Sequence, residues 1–108
     1  FTEEADGRVS NQIRVKITHR RGSDQDYNIV IDGLEGPELP SGSVTVIAPE
    51  NPMRVVAGAT RTTSVFVLLP RTAFTNGNRR VQLVITDTDG YSQTINYGLL
   101  GPFSGKAP

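Results

Sequence analysis

With 108 residues the chain has the length of one domain, enough to bury roughly 60 to 70 % of the surface that its unfolded form exposes. Eleven acidic residues balance eleven basic ones, so no broad electrostatic field recruits nucleic acid or an anionic membrane. The absence of cysteine excludes disulfides, thiolate metal sites, cysteine-held iron–sulfur clusters and cysteine nucleophiles, and no apolar run nears the ~20 residues of a membrane helix.

Taken in order, residues 1–7 read as an acidic linker or tail, and a start at Phe1 without a signal-peptide pattern suggests a domain cut from a longer protein. Val9, Ile13, Val15 and Ile17 then share one parity against Arg14, Lys16 and Thr18, which predicts a half-buried antiparallel strand over Asn11–His19. The segment Arg20-Arg21-Gly22-Ser23-Asp24 carries turn residues and places a second strand, Tyr27–Asp32, at hairpin distance, with Tyr27, Ile29 and Ile31 inward.

Gly33, Gly36, Pro37, Pro40 and Gly42 crowd the next ten positions and rule out a helix or an internal strand there. This stretch reads as a crossing connection in which Leu34, held between two glycines, caps the core. Short edge strands are expected at Ser43–Ala48 and Met53–Val56, because Pro49 and Pro52 stop the first and Ala57-Gly58-Ala59 the second. Thr60–Leu69 is the longest β-branched run, with Thr63, Val65, Val67 and Leu69 on one parity, and a helical turn fits at Thr72-Ala73-Phe74. Arg79–Thr86 alternates through Val81, Leu83 and Ile85. Asp87-Thr88-Asp89-Gly90 gives the turn, and Tyr91–Leu100 returns as the hairpin partner through Gln93, Ile95, Tyr97 and Leu99.

About seven short strands broken every eight to twelve residues predict an all-β fold, an immunoglobulin-like antiparallel β-sandwich in two sheets. The domain spans residues 8–102, with 103–108 as a C-terminal tail. No catalytic or cofactor-binding residue emerges.

Several residues invite chemistry and are better read as structure. Asp87-Thr88-Asp89-Gly90 resembles the start of a calcium loop, yet no Asp or Glu follows Asp89 to complete one, and Asp-Gly is what a hairpin turn selects. His19, the single histidine, reads as an exposed or strand-end residue. The alternative is a copper or zinc contact in which Met53 supplies the one soft partner donor. The pairs Arg20-Arg21 and Arg79-Arg80 read as solvated hairpin ends beside Asp24, Asp26 and Asp87 rather than as phosphate grips. Parity groups Tyr27 and Tyr97 with the core rather than with Tyr91 on a base-stacking surface.

Asp6-Gly7-Arg8-Val9-Ser10-Asn11, then Tyr27-Asn28-Ile29-Val30-Ile31-Asp32-Gly33-Leu34-Glu35-Gly36, Val55-Val56-Ala57-Gly58, Val65-Phe66-Val67-Leu68-Leu69-Pro70, Asp87-Thr88-Asp89-Gly90 and Gly101-Pro102 follow one another in a distinctive order. Over about nine tenths of its length the chain resembles the C-terminal immunoglobulin-like domain of the FixG/CcoG family. The resemblance implies a larger bacterial membrane protein with iron–sulfur clusters, linked to assembly of cbb-type cytochrome oxidases and to copper handling. It implies a non-catalytic module on the periplasmic side of the inner membrane, reaching the membrane only through its parent. The partner expected is an oxidase subunit, a copper-delivery protein or the parent's own membrane portion, and no nucleic acid. None of the cluster-binding residues of the family can map onto this cysteine-free chain, so no cofactor is expected in the domain itself. The alternatives are a copper-contacting module through His19 and Met53, or an unrelated fibronectin-like spacer or adhesion domain.

Overall fold

The computed structural model describes residues 1–19, 22–37, 39–40 and 42–102. Among these, eight strands form two antiparallel sheets of four: β1 (Thr2–Glu3), β2 (Val9–Thr18), β3 (Gln25–Asp32), β4 (Thr45–Ile47), β5 (Met53–Val55), β6 (Thr60–Leu69), β7 (Asn78–Asp87) and β8 (Ser92–Leu100). One sheet has the order β1-β2-β6-β4 and the other β5-β3-β7-β8, so the chain is an immunoglobulin-like sandwich. A short 3-10 turn, Arg71–Ala73, links β6 to β7, one residue earlier than the helical turn expected from sequence. The tail at 103–108 lies outside the described residues, as do Arg20 and Arg21 of the first basic pair.

Alternation builds the core. The ladder from Val9↔Leu69 to Thr18↔Thr60 aligns two ten-residue strands, and their odd-numbered residues Ile13, Val15, Ile17, Val65, Val67 and Leu69 are buried between the sheets. Tyr27, Ile29, Met53, Val55, Val81, Leu83 and Ile85 meet them from the other sheet. Burying such side chains is the main driving force, and no disulfide supplements it. The short strands β4 and β5 lie at sheet edges, where the flanking prolines cost no internal ladder bond.

Two features depart from the sequence reading. Strands β2 and β3 do not form a hairpin: β2 pairs with β6, and β3 pairs with β5 and β7, so their link crosses between the sheets. Both strands carry long inward apolar faces, and each buries its face between the two sheets. The acidic start also contributes a two-residue strand, in the register Thr2↔Ser10 and Glu3↔Val9. Asp6 shapes the turn that follows by accepting bonds from the Arg8 backbone N–H (3.0 Å) and from Arg8 Nε (2.9 Å). Those bonds hold its carboxyl below the usual carboxylate range.

The corner after β3 is tight. Gly33 has φ 100°, and a Cβ there would stand 3.3 Å from the Arg80 carbonyl oxygen and the Val81 Cα, so both conformation and space select glycine. Leu34 packs against the core, as expected for a cap. Asparagine side chains extend two strand edges. Asn51 receives the Ile29 N–H at Oδ1 and donates Nδ2 to the Ile29 carbonyl, both at 2.9 Å. Asn11 does the same across the two sheets with Leu100, at 2.9 and 2.8 Å.

Candidate functional site

His19 follows the last residue of β2 and is 1 % exposed, which corrects the exposed alternative read from sequence: its ring turns inward with the odd-numbered residues of the strand. Its Nε2 bonds the Ser23 backbone carbonyl, and its Nδ1 lies 2.9 Å from the Tyr27 hydroxyl. A carbonyl can only accept, so Nε2–H donates to it, and in the neutral ring Nδ1 is left to accept from the Tyr27 hydroxyl. The rings of His19 and Tyr27 meet edge to face at 5.9 Å, and Tyr91 meets Tyr27 similarly at 6.0 Å. Met53 is fully buried and pairs across from Tyr27. A copper ion at His19 would have to displace one of the two hydrogen bonds that hold the ring.

Tyr27→Phe should cost about 1 to 3 kcal/mol of unfolding free energy, because it leaves a buried imidazole acceptor without its donor. Urea denaturation checks this, and a change below ~0.5 kcal/mol contradicts the network.

Asp87 accepts bonds at Oδ1 from the Asp89 N–H (2.8 Å) and the Tyr91 N–H (2.9 Å), while Gly90 closes the turn at φ 92°. These are the marks of a three-residue hairpin loop. Asp89 is bound by Gln25 Nε2 at 2.5 Å, which ties the loop to the start of β3. Among the described residues no group of three or more His, Cys, Asp or Glu is gathered as metal ligands would be.

Arg79 is not a solvated hairpin end. Its guanidinium donates to the carbonyls of Gly33 (3.1 and 2.8 Å), Glu35 (3.2 Å) and Ala73 (3.1 Å), so it braces the corner from within. Arg80, one position on, points to the exposed face.

The surface that stands out is on the open side of the sandwich, where β2 and β8 lie on neighbouring edges of the two sheets. Asn11 joins these edges at the Leu100 end. Beyond it the sheets part, leaving a groove of about 670 Å³ whose walls include Ile13, Val15 and Ile17 of β2 and Gln93, Ile95 and Tyr97 of β8. On β8 the inward parity yields burial only at Leu99, which is fully buried. Ile95 is 38 % and Tyr97 37 % exposed, so Tyr97 does not belong to the core. Alternation correctly turns these side chains toward the opposite sheet, but that sheet ends at β2 for most of its length. The sequence carries a faint sign of this: Gln93 occupies an inward position, and Ser92, Thr94 and Asn96 the outward ones, leaving β8 poor in apolar residues.

A family model described as "IG-like fold at C-terminal of FixG, putative oxidoreductase" matches residues 1–102. No curated protein gives a significant match in sequence. Among solved structures, the chain is similar to a FixG-related protein from Vibrio parahaemolyticus at a TM-score of 0.72 and 15 % identity, covering 89 % of this chain and 82 % of that one. It is also similar to the CupB2 chaperone of Pseudomonas aeruginosa, at a TM-score of 0.53 and 12 % identity over 89 % of this chain and half of the chaperone. At such identities both likenesses speak for the sandwich fold alone.

Proposed function

The chain belongs to the family of immunoglobulin-like domains found at the C-terminus of FixG, and on that premise we propose that it is a non-catalytic interaction module of a larger membrane-bound iron–sulfur protein. Its parent serves in the assembly of cbb-type cytochrome oxidase and in copper handling, and the module works on the periplasmic side of the bacterial inner membrane. The partner is an oxidase subunit, a copper-delivery protein or the parent's own membrane portion.

One observation supports this reading above the others. A domain that closes its core elsewhere leaves Ile95 and Tyr97 partly exposed along an apolar groove. A contiguous exposed apolar patch or groove, unlike scattered single side chains, marks an interaction site. Deleting residues 8–102 from the full-length parent while keeping its membrane part should lower the amount of assembled oxidase in the membrane. Undiminished oxidase, with the truncated parent present at its normal level, would sink the reading.

A further inference from the structure

We infer that the groove between β2 and β8 receives an extended segment of a partner protein, about seven residues long, which pairs with the free edge of β2. Its side chains are apolar at alternate positions, filling the groove, and acidic at the positions between. The inference rests on the interaction-module reading and specifies its surface and the chemistry of its partner.

The free edge follows from the ladder. The pairing of β1 with β2 stops at Thr2↔Ser10, so the rest of β2 is paired on one side only, with β6. The His19 N–H donates to the Ala59 carbonyl at 2.9 Å, continuing the β2–β6 register. In an antiparallel ladder hydrogen-bonded pairs alternate, so the odd-numbered residues of β2 spend their backbone groups on β6. Gln12, Arg14, Lys16 and Thr18 therefore direct their N–H and C=O groups toward the opening, over ~24 Å of strand at ~3.4 Å per residue. The same counting from Asp87 N–H to Tyr91 O (3.1 Å) turns the backbone groups of Thr94, Asn96 and Gly98 toward the opening from β8. Two rows of backbone donors and acceptors thus flank an apolar trough. A polypeptide strand satisfies both requirements, whereas a lipid chain fills the trough and leaves the rows unpaired.

Charge selects the sequence of that strand. The groove is lined by Arg14 and Lys16 and by no Asp or Glu, and neither cation forms an ion pair among the described residues. A strand added to β2 sets its outward side chains beside these two, and carboxylates there are favoured by cross-strand pairing. The same charges argue against a second copy of the chain: antiparallel pairing of β2 with β2 would bring Arg14 and Lys16 against their own kind. Among the described residues β1 begins at Thr2, and Phe1 before it is 58 % exposed.

The test is an NMR titration of the 108-residue chain with a capped eight-residue peptide alternating valine and glutamate, and with its valine–lysine counterpart. The expected result is saturable shifts at Ile95 and Tyr97 with the glutamate peptide, and hydrogen exchange of the Arg14 and Lys16 amides slowed at least about tenfold. Binding should weaken with salt, and the lysine peptide should bind at least about tenfold less tightly. The paired change Arg14→Glu and Lys16→Glu, both at exposed positions, should reverse that preference. Equal binding of the two peptides would overturn the inference. So would groove shifts with decanoate that match those of the peptide, or slowed exchange on concentrating the protein alone. If no peptide binds while deletion of the domain still lowers oxidase, the groove is rejected and the module reading survives. If deletion has no effect, that reading itself fails.

Discussion

Leu83→Ala is expected to lower the unfolding free energy by roughly 2 to 5 kcal/mol, a large part of the ~5 to 15 kcal/mol that a domain of this kind possesses. Leu83 is 3 % exposed at the centre of β7, with Ile31 across from it on β3 and Ile95 on β8. Truncation there removes apolar contact and leaves a cavity that well-ordered ladders on both sides cannot collapse to fill. The same truncation at neighbouring Ile95 should cost less than about 1 kcal/mol, because that side chain already stands 38 % in solvent. Paired urea melts with equal slopes decide the matter. Similar losses at both positions would mean that β8 is covered in solution and that the groove is closed.

The second large effect lies at Arg79. Its guanidinium reaches three backbone carbonyls, those of Gly33, Glu35 and Ala73, and so fastens the corner after β3 and the 3-10 turn to β7. The bonds to Gly33 and Ala73 are partly buried, and bonds from a charged donor to such carbonyls are worth more than ordinary surface contacts. Arg79→Ala should cost about 2 to 3 kcal/mol and speed amide exchange at Leu39, whose N–H is bonded to the Gly36 carbonyl at 3.0 Å. Arg79→Lys should recover less than half of this, since a single ammonium cannot span three carbonyls held by a planar fork. Full recovery by lysine would show that charge alone matters at this site.

Much of the sandwich was legible from local pattern. The run Thr60–Leu69 forms a strand with the bounds its β-branched residues suggest, and Asp87 to Gly90 turns the chain where Asp-Gly predicts. The order of motifs from Asp6 to Pro102 carried the family resemblance that the match over residues 1–102 bears out. The β7–β8 pairing was legible from its tight turn, whereas the pairing of strands joined by longer links was not. Turn chemistry between Thr18 and Gln25 is the same for a hairpin as for a link between sheets, and only the global pairing of β2 with β6 separates them.

The groove was hidden for a related reason. Period-two alternation tells which way Ile95 and Tyr97 point, but it cannot tell whether the opposite sheet extends far enough to cover them. The bracing roles of Arg79, Asn11 and Asn51 were equally unreadable, since long-range bonds from a side chain to the backbone leave no periodic mark. His19 does sit at the strand end, but its burial was hidden because a lone polar residue there gives no sign of the tyrosine hydroxyl that receives it.

The most direct test of the account places a charge in the groove of the complete protein. Ile95→Lys introduced into the full-length parent should leave the domain folded, as amide exchange at Leu83 and Val67 would report, because the position is partly exposed. Assembled oxidase in the membrane should then fall to the level reached by deleting the domain. Oxidase at the wild-type level, with the substituted domain folded and the parent normally abundant, would contradict the claim that this open side is the working surface.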